Sequence, residues 1–436
     1  MNKYNKQILN IAIPSIVSNI TVPLLGMVDV TIVGHLGAAS YIGAIAVGGM
    51  IFNIIYWVFG FLRMGTSGLT SQALGQRNFQ ETLRMLTRSL TIAMTIALTL
   101  FALQIPIKWA ALRIMEPSAE VTHLASVYFN ILIWGAPAML GLFSLNGWFI
   151  GMQNSKIPMA IAITQNIVNI AASTLLVFGL GLKVEGVAFG TLIAQYAGFG
   201  MGLWLCLHHY CRLRKYFSWQ GMWKRSAMQH FFNVNRDIFL RTLCMVAVML
   251  YFTSAGSRQG DIILAVNTLL MQFYLLFSYI MDGFAYAGEA ISGKCYGAGN
   301  AQALGKTIRH TFAWGAVMAL LFTLTYGGGG DAFLSLLTDE PSVITAAHTY
   351  FGWALAIPAV SMAAFVWDGI YIGCTMTRGM LVSMFVAMAT FFCLYLLLVP
   401  HMGNHGLWIA FLAYLFSRGA AQTVIYLKAR PLRSKH

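Results

Sequence analysis

Four acidic residues lie inside uncharged apolar runs: Asp29, Asp282, Glu289 and Asp368. A charge at bilayer depth costs at least about 2.5 to 3.5 kcal/mol, so an acid kept there marks an ion or proton pathway unless a basic group neutralises it. The chemistry open to such a carboxylate is reversible uptake of a proton or a small cation. Asp29 has no basic residue nearby in sequence, which favours that role. Asp282 and Glu289 are seven apart and share a helix face, where Arg241 is available to either as a structural ion partner. Asp368 stands between the two readings. The other nine acids, Glu81, Glu116, Glu120, Glu185, Asp237, Asp261, Asp331, Asp339 and Glu340, fall in loops or at helix ends.

Amides accompany the acids. Gln165, Asn166 and Asn169 crowd one apolar segment, and Asn166 and Asn169, three apart, share a face. They could solvate a proton or ion held with Asp29, or simply bond between helices. Other constellations fail on context. Gly288-Glu-Ala-Ile-Ser-Gly293-Lys294 approaches a phosphate-binding loop, but Cys295 replaces the hydroxyl residue and no strand precedes it. Cys206-Leu-His-His-Tyr-Cys211 matches no common zinc spacing, and there is no His-Glu-x-x-His. Neither a metal site nor an enzyme is expected. The six cysteines are scattered through apolar segments as reduced packing residues. Gly327 to Gly330 is expected to form a flexible outer loop.

What positions these groups is a bilayer. Of the 436 residues, 58% are hydrophobic and 9% charged, against roughly 25% charged in globular chains, and mean hydropathy is +0.71. A soluble fold is excluded. Twelve apolar segments follow, near 8–33, 41–73, 89–112, 124–150, 159–181, 186–208, 238–256, 262–290, 311–330, 346–373, 380–399 and 406–427. The first carries Pro14 and Pro23 and lacks a small-residue cleavage site, so it is expected to stay as a span. With the N-terminus inside, the inner loops hold 20 Lys and Arg and the outer loops only Lys108, Arg113, Lys183 and Arg258. Arg63, Arg241 and Arg418 lie within spans. Both termini are therefore expected in the cytoplasm, and anionic lipid explains the net charge of +14 without a nucleic acid partner.

The polar stretch 209–237 divides the chain into halves of six spans, residues 1–208 and 238–436. Sliding one half by 222 positions pairs Gly75 with Gly297, Asn78 with Asn300, Tyr128-Phe129 with Tyr350-Phe351, and Gly147-x-x-Ile150-Gly151 with Gly369-x-x-Ile372-Gly373. Asn146 falls against Asp368. An even span count gives both repeats the same topology, related by an axis along the membrane normal. The expected fold is an all-α polytopic membrane protein with twelve transmembrane helices in two parallel six-helix repeats, forming two lobes with a central cleft. The paired glycines are expected to serve close helix packing.

Ile13-Pro14, Gly26-Met-Val-Asp29, Val33-Gly34-His35-Leu36-Gly37 and Leu62-Arg63-Met-Gly-Thr-Ser-Gly68 resemble the multidrug and toxic compound extrusion (MATE) transporters, in particular their DNA-damage-inducible F branch. Asn235-Arg-Asp-Ile-Phe-Leu-Arg241, Asp282-Gly-Phe-Ala-Tyr-Ala-Gly-Glu289 and Asp368-Gly-x-x-Ile-Gly373 resemble the same branch. The resemblance implies a twelve-helix antiporter exporting organic, often cationic or amphipathic, compounds against protons or sodium. It implies that Asp29 is the coupling carboxylate, near Tyr128, Asn169 and Thr191. Many relatives carry a second acid where this chain has Ser173, which leaves Asp29 as the sole acid of its lobe. A monomer in the cell membrane, with small organic substrates and no cofactor beyond the coupling ion, is expected. The nearest alternative is a lipid-linked or polyisoprenoid flippase of the same superfamily. A channel is disfavoured by the repeat and by the lack of a charged pore ring.

Overall fold

The computed structural model describes residues 3–338 and 340–429; Asp339, Arg430, Arg433 and Lys435 lie outside them. Fifteen α-helices account for nearly all of that chain. The first half supplies α1 (Lys3–Gly34), α2 (Ala39–Val58), α3 (Phe61–Gly75), α4 (Phe79–Ala102), α5 (Gln104–Met115), α6 (Ala119–Leu132), α7 (Ala136–Gly151), α8 (Lys156–Thr174) and α9 (Val184–His209). The second supplies α10 (Arg225–Ser257), α11 (Asp261–Gly297), α12 (Ala301–Leu337), α13 (Pro341–Gly373), α14 (Thr377–Met402) and α15 (Asn404–Ala429). Eleven helical stretches among the described residues are long and apolar enough to cross a bilayer, and α15, at 26 residues, has the length. All twelve expected segments coincide with helix. With no water in the hydrocarbon core to bond exposed peptide groups, a helix is the form in which a single segment satisfies its own backbone.

Two units pack separately: Val17 to Met228, and the chain up to Ile16 together with Gln229 onward. Their boundary thus falls inside α1, while α10 takes up the second part of the polar stretch 209–237. In each unit large apolar side chains face outward as well as inward. Leu98, Ile167 and Leu324 are more than 60% exposed, as lipid-facing side chains should be, whereas Thr66, Ser89 and Ser144 are fully buried. Those three form a relay, Thr66 to Ser89 at 2.6 Å and Ser89 to Ser144 at 2.7 Å.

The repeat is visible atom by atom. Asn78 accepts the Glu81 amide at 3.0 Å and Asn300 accepts the Ala303 amide at 2.9 Å, so the same helix cap recurs 222 residues on. A methyl added to Gly147 would fall 2.3 Å from the Arg63 carbonyl oxygen, and one added to Gly369 would fall 2.1 Å from that of Ala285. Gly151 meets Ser67 and Gly373 meets Glu289 in the same way, again 222 apart. The glycines do serve close packing, of α3 on α7 and of α11 on α13. Gly147→Ala and Gly369→Ala should each cost about 1 to 3 kcal/mol through overpacking against backbone. Gly352→Ala, which meets open space, should be neutral. Thermal unfolding in detergent checks this, and equal melting of all three variants would refute it.

The halves differ in regularity. The second span breaks at Phe59–Gly60 and the third at Leu103, while their counterparts α11 and α12 run unbroken. The fifth span ends in a π-turn, Leu175–Gly179. One expectation is corrected: Gly327 to Gly330 is not a loop but lies within α12. There the Tyr326 hydroxyl donates to the Phe273 carbonyl at 2.7 Å, and the Phe351 ring packs directly on the Gly330 backbone. Glycine lets that ring approach, and in an apolar medium the peptide groups stay helical.

Candidate functional site

In the first unit the late turns of α1 carry Asp29, which is 3% exposed. The helix runs continuously through Pro14 and Pro23 to bring it there. Thr191 of α9 donates its hydroxyl to Asp29 Oδ2 at 3.0 Å and accepts from Asn169 Nδ2 of α8 at 3.0 Å. The order Asn169 to Thr191 to Asp29 is a donor chain aimed at a carboxylate. Its geometry depends on Gly190, where a methyl would fall 2.1 Å from Ser173 Oγ, so that α8 and α9 touch backbone to side chain beside the chain of bonds. The π-turn that closes the fifth span begins two residues after Ser173, and such turns are frequent at functional sites. Tyr128 of α6 is buried, with its ring laid on Gly48.

The acceptors outnumber the donors here. Asp29 Oδ1, Asn169 Oδ1 and Ser173 Oγ are buried with no hydrogen-bond partner among the described residues. No described Lys or Arg forms an ion pair with Asp29. A lone buried carboxylate beside spare oxygens is suited to taking up a positive charge, whether a proton or a small cation. Asn166 is not drawn into this chain; its Nδ2 donates to the Ala162 carbonyl of its own helix at 2.9 Å.

The second unit is organised differently. Asp368 of α13, 7% exposed, accepts from the guanidinium groups of Arg241 on α10 and Arg418 on α15, both on Oδ2. Gln422 Nε2, one turn beyond Arg418, donates to Oδ1 at 2.7 Å. The Arg418 guanidinium also lies 5.9 Å from the centre of the Phe365 ring. Arg241, which the sequence offers to Asp282 or Glu289, is bound to Asp368. Glu289 is buried and Asp282 half-buried on α11, where Glu289 presents its backbone to Gly373. Gln422 carries no sequence signal beyond its i,i+4 spacing from Arg418, which places both on one helix face. At the position equivalent to Asp368, the first unit has Asn146, whose Oδ1 is buried without a hydrogen-bond partner.

Membrane helices in two copies of one six-helix repeat, each copy with its own buried polar cluster, are an architecture that many transporters share. The sequence profile of the MatE family matches the chain twice, at residues 14–175 and 238–398, one match per repeat. DNA damage-inducible protein F of Escherichia coli (strain K12) is 37% identical over 97% of this chain and 92% of its own length. Among solved structures, a MATE protein in complex with MaL6 superposes with a TM-score of 0.86 at 18% identity, covering 98% of this chain and 96% of that one. The Vibrio cholerae MATE transporter VcmN in its bent form gives a TM-score of 0.85 at 17% identity, covering 98% and 97%. The chain belongs to the MATE family of multidrug and toxin extrusion transporters. It is a multi-pass membrane transporter and not an enzyme, and MATE transporters bind small organic substrates.

Proposed function

We propose that the protein is a monomeric antiporter of the cell membrane, both termini cytoplasmic, that exports organic compounds of cationic or amphipathic character. Inward movement of protons drives it, with sodium as the alternative coupling ion, and access alternates between the two sides. The observation that supports this most is the state of Asp29: buried, held by one hydroxyl, with its second oxygen unpartnered. Protonation removes a buried charge, and the new O–H then needs an acceptor, which the spare Asn169 Oδ1 can supply. Asn166, bonded to its own helix, joins only if its rotamer changes. Span one, weakened by Pro14 and Pro23, is the element most able to respond by bending.

Reconstituted vesicles test this directly. Flux of a fluorescent organic cation should follow an imposed pH gradient and be abolished by a protonophore. Flux that follows a sodium gradient at constant pH would replace the proton by sodium. Flux that ignores both gradients would overturn antiport, and flux of a lipid-linked sugar in its place would favour a flippase.

A further inference from the structure

The segment between α9 and α10 is built as a strap on the end of α4. Arg88, fully buried although it is charged, donates from Nε to the Met222 carbonyl at 2.6 Å and from Nη2 to that of Gly221 at 3.4 Å. Arg84 donates to the Gln220 carbonyl. Glu81 holds both guanidinium groups, Arg84 from one helical turn away and Arg88 from two, and Gly221 takes the positive φ of 73° that lets three successive carbonyls turn toward them. Met222 fills the space beneath at 0% exposure.

On this clamped backbone several large side chains stay uncovered. Those side chains are Phe217, Trp219 and Trp223, exposed at 43%, 68% and 49%, interleaved with the exposed bases Lys215, Lys224 and Arg225. Phe217 and Trp219 meet edge to face at 5.2 Å, and no acid occurs between Glu185 and Asp237. Three uncovered aromatic rings on a fixed strap are unfavourable toward water but match the headgroup level of a bilayer, where tryptophan concentrates. The charge selects which headgroup. We propose that this strap is a docking surface for anionic phospholipid, its rings seated among the headgroups of the leaflet facing the inner loops and its bases binding the lipid phosphates. The assignment of that leaflet rests on the loop charges and is independent of the coupling ion.

Phosphatidylglycerol or phosphatidylcholine carrying shallow brominated chains, mixed into vesicles holding the full-length protein, serves as the probe. Trp219 and Trp223 are two of eleven tryptophans, so the emission lost in a W219F/W223F variant isolates their signal. That signal should be quenched at roughly fivefold lower mole fraction of the brominated anionic lipid than of the zwitterionic one. A variant with Lys215→Gln, Lys224→Gln and Arg225→Gln, all at exposed sites, should keep its folded yield and lose the preference. An unquenched difference signal would place the strap clear of the bilayer and overturn the proposal. So would equal quenching by the two lipids, or a preference that survives the charge variant.

Discussion

Asp29→Asn is expected to fold and insert at wild-type yield and to lose gradient-driven export altogether. The amide is isosteric with the neutral acid, and its Oδ can still accept from Thr191, so the bond seen at 3.0 Å is not sacrificed. No cation is left unpaired, because no described Lys or Arg is bound to Asp29. What disappears is the proton that binds and leaves. An inward proton is worth about 2.3 kcal/mol per 100 mV and about 1.4 kcal/mol per pH unit. Together these support a gradient of roughly a few hundredfold in a neutral substrate exchanged one for one. A monovalent organic cation exchanged one for one would lose the voltage contribution. In Asp29→Asn the accumulation ratio should fall to about one while passive exchange of substrate persists. The comparison to make is accumulation in vesicles at matched protein density. Wild-type accumulation by the variant would remove Asp29 from the coupling step.

How much of this was legible beforehand depends on the range over which each feature is encoded. The spans were, because a bilayer demands long apolar runs and each run carries its own helix. The repeat was too, since Asn78 and Asn300 cap the same turn and Gly147 and Gly369 meet the same carbonyl position, and such local constraints recur at a fixed offset. The helix breaks at Gly60 and Leu103 carried no such signal. Gly327 to Gly330 misled because turn chemistry learned in water does not hold where peptide groups have no solvent to bond. Asp29 stood out as a charge in an apolar run, but Thr191 and Tyr128 were reachable only through the family resemblance. A hydrogen bond joining residues 162 apart leaves no spacing to read. The same holds for Asp368 and Arg418, fifty residues apart, whereas Gln422 was within reach once Arg418 had been placed on a buried face.

That second cluster leads to the opposite expectation for Asp368→Asn. Here the carboxylate is the common acceptor of two guanidinium groups, Arg241 at 5% exposure and Arg418 at 2%, and the substitution removes that negative charge from between them. Breaking a buried ion pair from one side costs about 3 to 5 kcal/mol, a large part of the stability of a typical domain. Asp368→Asn should therefore give a much lower folded yield and a depressed melting temperature in detergent, where Asp29→Asn does not. Arg418→Met on the wild-type background should cost less, since Asp368 would keep Arg241 and Gln422 as donors. Combining it with Asp368→Asn should be less damaging than the sum of the two, because the second change removes one of the charges that the first had stranded. A strictly additive pair would show that the two side chains do not act through each other. Normal folding of Asp368→Asn with lost export would instead make Asp368 a transport residue, and the coupling role given to Asp29 would then have to be shared between the two lobes.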